Sequence, residues 1–307
     1  MNYFDLHCDT LSEMLKNNTP LSDGDTAVSL KKGEGLKSWC QCFAVWTHDS
    51  VKGDAAYQNY KKQISLLKEQ ALLNSDRMSF CKTRADISQT VADGKCAAIL
   101  TVENGAVIAG DLSRISELKK DGVKIFSFTW NGKNELGSGV GGNHTLSMIG
   151  RSAVVELNRA NITIDVSHIS DKGFYDILNL TSKPIIATHS NARRICKHPR
   201  NLTDEQFEAI VHTGGIVGIN FYKLFLNNSK NAGITDIIRH IEHFLSLGGE
   251  NSISIGSDFD GAEPPAKLKD LTTIGTLREE LQKQFGEELT EKIMFKNAFD
   301  FAMKNFD

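Results

Sequence analysis

The sequence predicts an α/β fold in which eight parallel strands close into a (β/α)8 barrel. Three observations carry this. Eight short β-rich runs recur along the 307 residues; the stretches between them show helical periodicity or capping signals; and most of the runs are continuously apolar or small, as strands covered on both faces are.

In chain order the runs are 3–7, 40–46, 97–103, 123–129, 162–168, 184–189, 215–221 and 252–258. Between them, 60–73 sets Ile64, Leu67, Ala71 and Leu72 on one helical side, and 149–160 does so with Ile149, Ala153, Leu157 and Ala160. Capping signals precede others: Asp111 before 112–120, Asp171 before 174–178, and Thr203, with Glu205 and Gln206, before 207–212. Strand, helix, strand in alternation means parallel pairing. A doubly wound open sheet is the alternative, and eight strands favour closure. At roughly 150 residues per domain the length argues for two domains, yet no linker or low-complexity segment divides the chain. A single barrel domain over 1–307 is the expectation. Such a barrel takes about 250 residues, and the surplus falls in long strand-end loops such as 11–38 and 130–146.

With 40% hydrophobic and 24% charged residues the chain can bury a large core. Its 35 Lys and Arg against 38 Asp and Glu give a net charge of -3, which offers nothing to nucleic acid or to an anionic membrane. The start, MNYFDLHCDT, lacks the basic and apolar regions of a signal peptide, so a cytoplasmic protein is expected. The six cysteines include no CxxC pair and read as reduced, mostly structural thiols.

Position is more informative than composition. His7 and Asp9 lie at and just past the end of the first run, and Glu103, His168, His189 and Asp258 each end another. In a (β/α)8 barrel those ends meet on one face. Alone, each reads as a loop hydrogen-bonder; Asp9 could cap a helix, and Asp258 and Asp260 in SDFDG could make turns. Together they would be costly to desolvate without compensation, and a bound metal supplies it. One residue separates His7 from Asp9, so on an extended strand both side chains leave the same face. Histidine nitrogen and carboxylate oxygen without clustered thiolate suit zinc, with manganese, nickel or cobalt as substitutes. Three histidines and two carboxylates exceed the needs of one catalytic zinc, whereas two metals sharing a carboxylate use the surplus.

These residues sit in motifs that resemble those of the membrane dipeptidase (renal dipeptidase) family of zinc peptidases, family M19: DLHCDT at 5–10, VENG at 102–105, DVSH at 165–168, THSNAR at 188–193, RNL at 200–202 and GSDFDG at 256–261. The pieces run in family order over nearly the whole chain. The resemblance implies a TIM barrel of the metal-dependent hydrolase type with two zinc ions. It implies that His7 and Asp9 bind one, that His168 and His189 bind the other, and that Glu103 bridges them. Asp258 matches the acid/base carboxylate. Arg200 matches the arginine holding the substrate's terminal carboxylate, a task suited to its forked donors; Arg193 and Arg194 are nearby competitors. Where mammalian members carry a substrate-contacting histidine, this chain has Trp130, a donor that cannot carry a proton. Asn131 or Asn134, in the same loop, are candidates for the missing oxyanion contact. The implied activity is hydrolysis of dipeptides, C-terminal D-residues included, and homodimers are common in the family.

Other signals read more plainly. GSGVGG at 137–142 formally matches G-x-G-x-x-G but neither follows a strand directly nor opens a helix, so it reads as a loop over the site. His48 is a candidate for the mouth of the site and His144 an exposed loop residue. His198, His212, His240 and His243 read as surface or core-edge. Cys8 lacks a free neighbouring base for a nucleophile's role. The competing functions are a metal-dependent amidohydrolase acting on a lactone, N-acyl amino acid or cyclic amide, which needs no carboxylate clamp, and a catalytically dead barrel kept for binding.

Overall fold

The computed structural model describes residues 1–227 and 231–307. Nine strands lie among them: β1 Asn2–Cys8, β2 Ser38–Trp46, β3 Met78–Cys81, β4 Cys96–Glu103, β5 Ile125–Ser127, β6 Thr163–Asp165, β7 Ile185–Ile186, β8 Val217–Ile219 and β9 Ile253–Ile255. Every pairing between them is parallel. Eight run in the order β7-β6-β5-β4-β2-β1-β9-β8. The bridge Ala187 to Val217 joins the two ends, Ala187 donating to Ile216 at 3.1 Å and accepting from Gly218 at 2.8 Å. These eight are the strands the sequence predicts, in a (β/α)8 TIM barrel.

The ninth, β3, was not anticipated. It is a four-residue piece between the helices Asp54–Leu73 and Arg84–Ala92, too short and too half-buried for a pattern. It pairs with the first half of β4, Cys96 to Ile99, and β5 pairs with the second half at Thr101 and Val102.

Past the ends of β6, β7 and β9 side chains take over the ladder. Asp165 Oδ1 accepts from the backbone N–H of Ser167 at 3.0 Å and of Thr188 at 2.9 Å. Asp5 Oδ1 likewise accepts from Ser257 N at 2.8 Å and His7 N at 3.3 Å. A carboxylate standing where a backbone carbonyl would be satisfies these donors. It frees the following residues to turn into the mouth.

Phe4, Leu6, Cys40, Cys42, Ala97, Ile99, Ile125 and Ile186 form one apolar cluster with Ala298, Phe301 and Phe306. The helix Asn297–Asn305 thus closes the foot of the barrel, and a larger cluster joins the opposite strand faces to the surrounding helices. Thr203 caps Asp204–His212 in a reciprocal box with Gln206, as its sequence predicts. The caps expected at Asp111 and Asp171 are instead at Ser113 and Ser170, with Asp171 the first helical residue. Asp111 accepts from Ser113 N and Oγ, bracing the turn ahead of its helix. The expected loop 11–38 begins as the helix Thr10–Asn17. Among the described residues no helix is long and apolar enough to cross a membrane.

Candidate metal centre

The six polar residues at the strand ends do converge. His7 Nε2 lies 3.7 Å from Asp9 Oδ2, 3.5 Å from Glu103 Oε2 and 4.0 Å from Asp258 Oδ1. The other Glu103 oxygen, Oε1, lies 2.7 Å from His168 Nε2 and 3.6 Å from His189 Nε2. One buried carboxylate therefore turns one oxygen to each of two ligand groups. Sets of three potential ligands gather within 4.8 Å as His7, Asp9 and Glu103, as Glu103, His168 and His189, and as His7, His189 and Asp258.

The route to this geometry at β1 differs from the sequence expectation. The register slips between Asp5 and Cys8, and Asp9 has left the strand to stand at the head of the helix Thr10–Asn17, with φ -98 and ψ 20. The slip, not simple alternation, turns His7 toward Asp9. Asp9 makes no side-chain cap bond, so its carboxylate is free for the cluster.

Proton positions fix which atoms can bind a cation. Asn131 Oδ1 can only accept, so at 3.1 Å His168 Nδ1 is the donor. Thr188 has one hydroxyl proton, which goes to Asp165 Oδ2 at 2.8 Å. The 2.8 Å contact between Thr188 Oγ1 and His189 Nδ1 therefore carries the imidazole's proton. Both Nε2 atoms then present lone pairs, 2.9 Å from each other. Two lone pairs at that distance repel, and a cation taken up by these two imidazoles would turn the repulsion into ligation. His7 Nε2, Asp9 Oδ1 and Glu103 Oε2 are buried with no hydrogen-bond partner, which is expensive in an apolar site. Burial, with Asp9 adding to it, pushes the Glu103 carboxyl up to about 8. Burial, with Arg200 and His7 beside them, holds His168 and His189 well below the usual histidine range. On His7 burial opposes charge, yet Glu103 and Asp9 beside it raise its pKa well above the usual histidine range, so a divalent cation there would take the place of a proton. With His168 and His189 neutral and the carboxylates crowded, the residues present fit divalent cations.

Asp258 and Asp260 both lie in left-handed backbone, φ 61 and 68, which aspartate tolerates. The turn brings Gly261 so close that a Cβ there would stand 2.0 Å from Asp9 Oδ2. Asp258 Oδ2 accepts from Asn220 Nδ2 at 2.9 Å, and burial pushes its carboxyl up to about 6. Asp260 points away, accepting from Thr10 Oγ1 and Ala27 N at 2.6 Å each. It ties 10–28 to the turn.

Of the three arginine candidates Arg200 reaches the site. It is buried, its Nη2 donating to His168 Nε2 at 3.1 Å, while its Nε has no partner. Burial brings it down to about 10, so it stays charged at neutral pH. Arg193 instead pairs bidentately with Asp171 at 2.8 Å, and Arg194 is exposed. A pocket of about 1090 Å³ opens above the cluster, with Trp46, His48, Trp130, Asn131, Arg200 and Tyr222 on its walls. Asn134 is not brought to it: its amide donates to Asn104 Oδ1 and Phe128 O, and its Oδ1 accepts from Leu136 N and Gly137 N. All its capacity holds its own loop, and Asn131 Oδ1 holds His168.

His48 lines the mouth and His144 is exposed, as read from the sequence. His240 is wholly buried rather than core-edge, accepting from Ala192 N at 3.1 Å and contacting Leu226 O at 2.8 Å. Burial raises the Cys8 thiol well above its ordinary range, consistent with an inert residue. GSGVGG folds back on the 130–134 loop, Gly139 N donating to Gly132 O and Gly141 N to Asn131 O. Asp5, Asp165, Thr188 and Asn220 carry no assigned role in the sequence motifs. The available signal was the repeated pairing of a buried Asp with a His two or three residues on, in DLH and DVSH.

The family model for membrane dipeptidase (peptidase family M19) matches residues 1–303. A protein of Klebsiella pneumoniae described as an uncharacterized protein in the pqqA 5' region is 32% identical over 249 residues, covering 77% of this chain and 92% of its own. A metallo peptidase from Rhodobacter sphaeroides, crystallised with a phosphinate mimic of the dipeptide L-Ala-D-Ala, superposes with a TM-score of 0.93 at 26% identity, over 100% of this chain and 99% of that one. The dipeptidase AC, a metallo peptidase of family M19, gives 0.94 at 27% identity over the same shares. A barrel mouth of carboxylates and lone-pair imidazoles, and a match along almost all its length, have one common explanation: the chain belongs to the membrane dipeptidase family, peptidase family M19, and is a metallo-dipeptidase.

Proposed function

We propose that this chain, one barrel domain over residues 1–307, is a zinc dipeptidase with two ions per chain. His7 and Asp9 would hold one and His168 and His189 the other, with the Glu103 carboxylate shared between the two groups. The observation that carries this is the Glu103 carboxylate, with Oε2 toward His7 and Oε1 toward His168 and His189. Zinc ions there would polarise the scissile carbonyl and acidify the attacking water.

The chain's own groups do the rest. Asp258, 4.0 Å from His7 Nε2 and steadied by Asn220, takes the water's proton and passes it to the leaving amine. Arg200 pairs with the substrate's terminal carboxylate, its unpartnered Nε and a terminal nitrogen forming the fork. Its distance from the cluster acts as a ruler that favours dipeptides. Trp130 walls the pocket, and Asn131 orients His168. Acceptance of a C-terminal D-residue is supported by the Rhodobacter relative, crystallised with a mimic of L-Ala-D-Ala.

Substrate panels test this. Dipeptides, L,D pairs among them, are hydrolysed faster than lactones, N-acyl amino acids, cyclic amides or tripeptides, and Arg200→Ala lowers dipeptide kcat/KM by about 100-fold, the scale of losing a buried charged contact. Intact dipeptide turnover in Arg200→Ala, or a faster lactone reaction, contradicts the reading.

A further inference from the structure

We infer that the loops after β2 and β5 form an aromatic subsite selecting dipeptides with a large apolar or aromatic N-terminal side chain. This rests on the dipeptidase reading above. Trp46, His48 and Trp130 make a continuous wall: the ring centroids of Trp46 and Trp130 are 5.3 Å apart, those of His48 and Trp130 5.3 Å, and those of Trp46 and His48 5.9 Å. All three line the pocket and none is fully buried. They leave aromatic surface for a ligand to cover.

Barrel order favours the N-terminal end of a dipeptide at this wall. Around the ring, β2 and β5 flank β4, which carries Glu103, while β7 and β8 lie on the opposite side. Arg200 follows β7 and Tyr222 follows β8. A peptide whose carboxylate is held at Arg200, with its scissile carbonyl over Glu103, extends its remaining residue toward Trp46 and Trp130. Size agrees: about 1090 Å³ is at the upper edge of small-molecule pockets, roughly 300–1,000 Å³. Two alanines would leave the aromatic wall wet, whereas a Phe or Trp side chain would cover it with ring contacts. Lys62 lines the pocket from the helix beside that wall, with Val51 and Ala55 adding apolar surface.

The test is kcat/KM for the series X-Ala, with X as Ala, Leu, Phe, Trp and Lys, beside the series Ala-X. Phe-Ala and Trp-Ala should exceed Ala-Ala by about 10- to 100-fold, the range of apolar pocket discrimination. Lys-Ala should show no such gain, and the Ala-X series should vary far less. Trp46→Ala should lower the Phe-Ala to Ala-Ala ratio by about tenfold, as expected for a lost stacking surface. Should that variant fail to fold, the wild-type series decides alone. Equal rates for all X, or a preference for Lys, overturn the subsite while leaving a dipeptidase. Hydrolysis of no dipeptide overturns both.

Discussion

Asp165 shows how a buried carboxylate can decide what a histidine does without touching a ligand. It collects five hydrogen bonds, from Ser127 Oγ, Ser167 N and Oγ, and Thr188 N and Oγ. By taking the Thr188 proton it obliges His189 to protonate at Nδ1, and so keeps Nε2 open. In Asp165→Asn the amide turns donors toward donors, and Thr188 can donate to His189 Nδ1 instead. The imidazole proton then moves to Nε2. Zinc affinity should fall about 10- to 100-fold, the usual cost of losing an outer partner of a ligating histidine, read by chelator competition with circular dichroism confirming the fold. Unchanged affinity in a folded variant contradicts this role. The convergence of these side chains was legible because His7, Glu103, His168, His189 and Asp258 end apolar runs. Asp165 was not, because a polar residue inside a strand gives no hint of which backbone donors it will meet.

At the level of elements, the segment between His189 and Arg200 depends on the helix Ile234–Ser246 behind it. His240 from that helix accepts the Ala192 N–H and meets Leu226 O. Only a neutral ring can do both. Burial lowers its folded pKa to about 4, against about 6.5 in an unfolded chain. Above pH 6.5 both states are neutral. As pH falls from 6.5 to 4 the unfolded chain takes up a proton that the folded one refuses. Stability is lost across that window, by up to about 3 kcal/mol. Urea unfolding at pH 7.5 and 4.5 should show a drop that shrinks by about 2–3 kcal/mol in His240→Gln. An identical drop in both proteins contradicts it. Element legibility follows the same physics. Thr203 was readable as a cap because its partner Gln206 is three residues away, while β3 owes its existence to the stretch of β4 that β5 leaves unpaired, which no local pattern encodes. The slip in β1 is equally nonlocal, since it is set by pairing with β2.

For the whole molecule, alternation of strand and helix was enough to give the barrel, because continuous apolar runs have few other homes. Much of the chain outside the strand and helix repeat surrounds the mouth: the helix Thr10–Asn17, the 18–37 turns tied down by Asp260, and the 130–146 loop folded on itself through Gly139 and Gly141. Those loops set the pocket's shape, and their side-chain contacts, such as Asn134 turned inward rather than to the site, depend on partners far along the chain. The barrel assembles carboxylates and imidazoles from five strand ends into a cluster that is over-supplied with lone pairs. In our proposal two zinc ions would satisfy them, with Glu103 shared between the two sets. The most direct test is metal stoichiometry: protein stripped with a chelator, reloaded with zinc, freed of excess and analysed by inductively coupled plasma mass spectrometry. Two zinc ions per chain, with dipeptide hydrolysis returning as the second is filled, is the predicted result. Saturation at one ion with full activity, or no retained zinc, would contradict the account.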